Sequence, residues 1–194
     1  MNGRWRVWGI SLFAWVLASS STVGAQFIRA DWLRADAATT RLKPSAFPSL
    51  PSRVRTALER RGCTIPQPSN ADHPQNVISG EFTDATQTDW AVLCSRERRS
   101  AILVFRGGRS DQVDELAEEA DLQYLQVTTG KHEIGYSRRL AVATPRIIRQ
   151  GIRVRGAAKQ QVTDHDGIES AFVGKASVVW YCLGGEWTRL SGAD

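Results

Sequence analysis

Residues 77–105, VISGEFTDATQTDWAVLCSRERRSAILVF, restrict what this chain can fold into more than any other stretch. Two six-residue apolar runs, 90–95 (WAVLCS) and 100–105 (SAILVF), flank the charged tetrad at 96–99, and Gly107-Gly108 follows the second run. Short runs of aliphatic and aromatic residues bounded by turn residues predict a β-hairpin, and the charged break after six residues argues against a buried helix. Side chains of a strand point alternately to opposite faces. Trp90, Val92 and Cys94 therefore share one face and Ala91 and Leu93 the other, and both faces are apolar. Such a hairpin belongs in the middle of a sheet covered on both sides, partly by helices.

A second hairpin closes the chain. Residues 177–183 (SVVWYCL) and 186–190 (EWTRL) enclose Gly184-Gly185, and glycine tolerates the positive φ of a two-residue turn. Val178, Trp180 and Cys182 fall on one face, Val179, Tyr181 and Leu183 on the other. Strands are also predicted at 122–127 and 133–143, with a turn at Thr129-Gly130-Lys131. Residues 145–154 read as an edge continuation of the sheet, and 156–161 as a loop. Ser52 is placed to cap a helix over 53–61, with Val54, Ala57 and Leu58 on its apolar face and Gly62 as its stop. Residues 110–121 predict another helix, since Val113, Leu116, Ala117 and Ala120 recur at helical spacing and acids fill the remaining face. A weak helix over 30–42 precedes Pro44, Pro48 and Pro51. The pattern predicts an α+β fold with a mainly antiparallel sheet and two or three helices, organised as a segment 1–25, an arm 26–51 and one domain 52–194.

The segment 1–25 has the layout of a cleaved signal peptide: Arg4 and Arg6, a twelve-residue apolar run at 7–18, then small residues ending Val23-Gly24-Ala25. Cleavage is expected before Gln26. The apolar run is shorter than the ~20 residues that span a bilayer, so the mature form is expected not to span the membrane. Export to the periplasm or the extracellular space makes disulfides available. Of Cys63, Cys94 and Cys182, the pair Cys63–Cys94 is favoured, and Cys94–Cys182 is the competitor. Formal charge is +5, and removing Arg4 and Arg6 leaves 25 − 2 = 23 basic against 20 acidic residues, or +3. That is too mild for a dedicated nucleic-acid binder, which concentrates basic and aromatic residues on one face.

The loop before the first hairpin, Gly80-Glu81-Phe82-Thr83-Asp84-Ala85-Thr86-Gln87-Thr88-Asp89-Trp90-Ala91-Val92, resembles an FG-GAP/VCBS repeat of integrin-type propellers. The resemblance covers about thirteen of 194 residues. Gly80, Phe82, Asp89, Ala91 and Val92 match the family pattern, and Glu81 stands in for its first aspartate. The resemblance implies a role in extracellular recognition and a calcium-wrapping loop, with Glu81, Thr83, Asp84 and Asp89 as ligands. Ala85 and Thr86 depart from it where the family has a central aspartate and a turn glycine. A metal-free loop in which Asp89 and Thr83 cap backbone amides is the other reading of the same residues.

A second acidic turn, Asp164-His165-Asp166, precedes the last hairpin. It lacks the closing glutamate of an EF-hand, which would fall at Lys175. His165 between two carboxylates is either a general base in waiting or an exposed turn residue. No G-x-S-x-G, H-E-x-x-H, C-x-x-C or phosphate loop is present. The sequence thus supports an exported, non-catalytic binding or scaffold domain with no cofactor beyond weakly held calcium. Expected partners are a protein or an anionic envelope polymer, the latter through the arginines of 53–61 and 138–155. The alternative is a small metal-assisted hydrolase, which requires the two acidic loops to converge.

Overall fold

The computed structural model of the chain describes residues 21–128, 133–154 and 163–192. In chain order its helices and strands are α1 (Ser21–Ala38), β1 (Arg41–Leu42), α2 (Ser52–Arg60), β2 (Ile65–Pro66), β3 (Val77–Gly80), β4 (Asp89–Arg96), β5 (Arg99–Phe105), β6 (Val113–Ala120), β7 (Leu125–Val127), β8 (Ile134–Tyr136), β9 (Arg138–Ala143), α3 (Pro145–Val154), β10 (Gly167–Phe172), β11 (Ala176–Leu183) and β12 (Glu186–Ser191). The fold is α+β with antiparallel pairing throughout. Two four-stranded meanders, β3-β4-β5-β6 and β9-β10-β11-β12, are accompanied by the small pairs β1-β2 and β7-β8.

Three apolar clusters hold the layers together. Val92, Cys94, Leu103 and Phe105 on one face of the first sheet pack against Phe47, Leu50, Val54 and Leu58 of the arm and α2. Ala91, Leu93, Ile102 and Val104 on its other face meet Leu140 and Ile168 of the second sheet, with Trp180 against them. The far face of the second sheet, Val179, Tyr181 and Leu190, packs against Ile148 and Ile152 of α3. The order is helix, sheet, sheet, helix, as the two-faced apolarity of residues 90–105 requires. At roughly 1.5–3 kcal/mol for each fully buried aliphatic side chain, these contacts outweigh surface ion pairs, worth ~0–1 kcal/mol each.

Buried Asn76 joins the edges of the two sheets. It has a φ of 70°, which asparagine tolerates. Its Nδ2 donates to the carbonyls of Pro66 and Arg138, and its Oδ1 accepts from the Leu140 amide. Cys63, just past α2, is bonded to Cys94 in β4, at a sequence separation of 31 and with Cα atoms 5.1 Å apart. Cys182 is free and buried.

Several expectations are corrected. Residues 113–120 form a strand, not a helix. Pairing shifts register between Ser100 and Ile102, and the extra residue is taken up at Ala117, with φ 53°. A bulge breaks strict alternation, so the apolar spacing imitates a helix, while β5 needs a partner for its backbone. Residues 145–154 form a helix, not an edge strand. Pro145 sits where its missing N–H costs nothing, and Ile148 and Ile152 share the buried face. The β4–β5 turn contains two residues instead of four, Glu97 (φ 49°) and Arg98 (φ 60°). Ser52 is the first residue of α2, and Pro51 takes the cap position. α1 runs through the Ala25–Gln26 junction. The apolar run at 7–18, the 129–131 turn and the 156–161 loop lie outside the described residues.

Candidate functional site

The loop 81–88 and the turn at 164–166 meet at one end of the stacked sheets. The loop leaves β3 at Gly80, where a Cβ would come within 2.8 Å of the Phe82 ring and 3.1 Å of Asp166 Oδ2. Phe82 turns inward and is buried in the cluster between the sheets. Asp84 Oδ1 accepts from the Thr86 amide at 2.8 Å and the Thr86 hydroxyl at 2.5 Å. The Thr86 hydroxyl, then its amide, and least of all nearby His165, hold the Asp84 carboxyl below its ordinary range.

Asp89 opens β4 and is 0 % exposed. Its Oδ2 accepts from the Thr83 amide at 2.8 Å and the Thr83 hydroxyl at 2.6 Å. Its Oδ1 accepts from Gln87 Nε2 at 2.8 Å and the Gly107 amide at 2.7 Å. Gly107 has a φ of 56°, a backbone state that suits glycine and aims its N–H at the carboxylate. One side chain thus ties the loop to the exit of β5.

Asp166 Oδ2 accepts from the Glu81 amide at 3.4 Å, so the two acidic loops do adjoin. His165 is buried rather than exposed. Its amide is bound by the Thr163 hydroxyl at 3.1 Å, and its Nδ1 lies 3.2 Å from the Asp166 carbonyl. Asp164 is exposed. Calcium takes six to eight oxygens, but both Asp89 oxygens and one of Asp84 already accept protein donors. Among the described residues no group of three His, Cys, Asp or Glu side chains is gathered to hold a metal ion. As arranged, this donor set does not fit calcium.

Two further features have weak sequence signals. A cleft of 460 Å³ lies between the end of α1, the loop 67–74 and β8, lined by Thr40, Gln67, Ser69, His73 and Gly135 among others. Ser69 Oγ lies so close over Gly135 that a Cβ there would sit 2.4 Å from it. Asp72 and His73 are in contact at 2.5 Å on its exposed rim.

The second is a buried polar centre near the β4–β5 turn. Asp121, 0 % exposed, accepts from the hydroxyls of Ser95 (2.6 Å) and Ser100 and from Arg41 Nη2 at 2.8 Å. Asp36 of α1 binds Arg41 Nη2 at 2.7 Å and Arg98 Nη1 at 2.9 Å. Burial works against the Arg41 charge, but Asp121 and Asp36 outweigh it and hold the guanidinium above its ordinary range. Arg138, expected on a basic surface, is fully buried. It donates to Ser170 Oγ and to the carbonyls of Ser100 and Ala117, and stacks 4.4 Å from the Tyr124 ring centroid. Its place between Tyr136 and Leu140, both buried at two-residue spacing, is the signal that marks it as inward-facing.

Comparison of the chain with protein-family models, with curated proteins and with solved structures returns no match.

Proposed function

We propose that the chain is an exported, non-catalytic domain with a binding or scaffold role. The observation that carries this reading is Asp89. The carboxylate that closes the FG-GAP-like loop is buried and engaged by four protein donors, an arrangement suited to fixing a loop and not to acting on a substrate. Export is supported by the Cys63–Cys94 disulfide and the layout of residues 1–25. None of the described helices is long and apolar enough to cross a membrane.

Thermal unfolding in calcium and in chelator, beside Asp89→Ala, tests the loop. The expected result is one midpoint for the parent chain in both buffers, with Asp89→Ala less stable in both by roughly 2–4 kcal/mol, because buried donors lose their acceptor. A calcium-dependent rise that Asp89→Ala abolishes overturns it, since a ligand of the folded state stabilises by RT ln(1 + [L]/Kd). Export is tested separately by the mass of the processed chain, which should begin at Gln26.

The convergence of Glu81 and Asp166 favours one second reading, a metal-assisted hydrolase at the rim formed with Asp84, Asp164 and His165. It requires a divalent ion there. Calorimetric titration with calcium and with zinc that gives no heat sensitive to Asp166→Asn rules it out.

A further inference from the structure

The arginines at the surface differ in what holds them, and Arg60, Arg61, Arg139 and Arg189 are exposed without an ion pair to a described residue. Five on the strands and turns of the first sheet have carboxylate partners: Arg96 with Glu115, Arg98 with Asp36, Arg99 with Glu118, Arg106 with Asp114 and Arg109 with Asp111. On α3, Arg146, Arg149 and Arg153 are exposed, and none has an ion pair or side-chain hydrogen bond to a described residue. Their spacing of three and four places them in one stripe along the helix. The sequence from 134 to 163 holds six arginines and a lysine and no Asp or Glu. Strand alternation places Glu169 and Glu186 on the same side of the second sheet, and neither is bonded to an α3 arginine.

The helix is fixed with this stripe outward. Ile148 and Ile152 are buried against Val179, Tyr181 and Leu190, and Gly151 lets the helix approach β12, since a Cβ there would lie 2.8 Å from Leu190 Cδ2. Beside the stripe, Ile147 is 42 % exposed, a large aliphatic side chain facing water.

We propose that α3 is a docking surface for membrane lipid with anionic phosphate headgroups. This rests on the export reading, which brings the domain to an envelope surface. Guanidinium groups present paired donors that match phosphate oxygens, and three arginines without carboxylate partners among the described residues can turn to an outside acceptor without breaking a described pair. Ile147 separates lipid from a soluble polyanion. A polysaccharide or nucleic acid gives it nothing to enter, whereas the headgroup–acyl boundary takes an aliphatic side chain beside a basic stripe. α2 lacks this combination: Glu59 lies among its arginines, and Arg53 and Arg55 contact the carbonyls of Gly107 and Leu50.

Each basic residue near an anionic bilayer strengthens partition about fivefold, so three give about a hundredfold. The test is flotation of the full chain with vesicles of phosphatidylcholine alone and of phosphatidylcholine mixed with phosphatidylglycerol, at low and at physiological salt. The expected result is a preference for the mixed vesicles that salt weakens. Joint replacement Arg146→Gln, Arg149→Gln, Arg153→Gln should lower it about a hundredfold, and Ile147→Ser should lower it less. The matched triple Arg53→Gln, Arg60→Gln, Arg61→Gln on α2 and its C-terminal cap should leave it unchanged. Circular dichroism of each variant checks that it is folded. Equal loss with either triple, or salt-sensitive heparin binding without vesicle preference, overturns the proposal. A chain that is exported and processed but ignores lipid charge refutes this inference alone; one that is never processed refutes the export reading instead.

Discussion

The two four-stranded meanders have the same topology and opposite strategies. The first, β3 to β6, is held covalently and electrostatically. A disulfide fixes β4 to the end of α2, Asp89 and Asp121 anchor its two ends, and exposed pairs such as Arg99–Glu118 line its acidic edge strand. The second, β9 to β12, has no disulfide, buries a free thiol and a full arginine, and carries a basic helix whose arginines have no ion pair among the described residues. Five arginines of the first sheet and its turns are paired with carboxylates of the same molecule. The second directs the charges of α3 outward. The contrast associates structural rigidity with one sheet and an unsatisfied surface with the other.

The strongest way to break that contrast is Asp121→Ala. It removes the acceptor of Ser95, Ser100 and Arg41 at a position with 0 % exposure. Losing one partner of a buried charge costs about 3–5 kcal/mol. Arg41 is partly exposed and keeps Asp36, so the lower end of that range is expected, as a lowered urea midpoint at unchanged slope. A loss under ~1 kcal/mol would reduce the anchor to a surface pair and remove the distinction between the sheets.

Next in size is the disulfide. Paired Cys63→Ala and Cys94→Ala should cost about 2–4 kcal/mol by freeing a loop of 31 residues, and reductant should lower the midpoint of the parent chain similarly. Cys182→Ala, in the sheet without a bridge, should keep the parent's full response to reductant, and the paired Cys63→Ala, Cys94→Ala variant should show none.

Much of this architecture was legible in the sequence, and the gaps have physical causes. Residues 90–105 reveal a two-faced strand pair because covering both faces leaves no polar side, and the Gly184-Gly185 turn marks the last hairpin. β6 was obscure because its bulge at Ala117 replaces alternation with helix-like spacing. α3 was obscure because isoleucine and arginine carry no sharp preference until Ile148 and Ile152 are seen on one face. The loop before β4 could be placed from its flanking strands, but not its hydrogen bonding, because Gly107, which helps complete the Asp89 shell, lies beyond the next strand. Asp121 and Arg138, which the sequence places on an acidic helix face and a basic surface, are buried because their partners come from distant parts of the chain.

A smaller effect sharpens the comparison within the second sheet. Gly151→Ala gains ~1 kcal/mol of helix propensity but forces a Cβ toward Leu190 Cδ2, and overpacking costs about 1–3 kcal/mol. The net loss should be near 1 kcal/mol. In a Leu190→Ala background, where the obstruction is gone, the same substitution should become neutral or stabilising. Additivity of the two substitutions would show that α3 is not seated through this contact.

The smallest effect is read from alkaline pH. Burial pushes the Cys182 thiol above its ordinary value of 9.0, against a modest opposing pull from Arg106. Burial likewise raises the Tyr136 and Tyr181 phenols above 10.0. A raised pKa of this kind favours the fold fully below the unfolded value and loses that contribution as pH climbs toward the folded one, because the unfolded chain ionises first. Stability should therefore begin to fall near pH 9, by at most about 1.4 kcal/mol per pH unit for one group. Cys182→Ala should delay the onset to the phenol range near pH 10. Replacing the disulfide should lower the whole profile without moving its onset, since bonded cysteines do not titrate. If both variants shift the onset equally, the thiol is not the titrating group, and the buried environment of the second sheet is wetter than the packing around Cys182 implies.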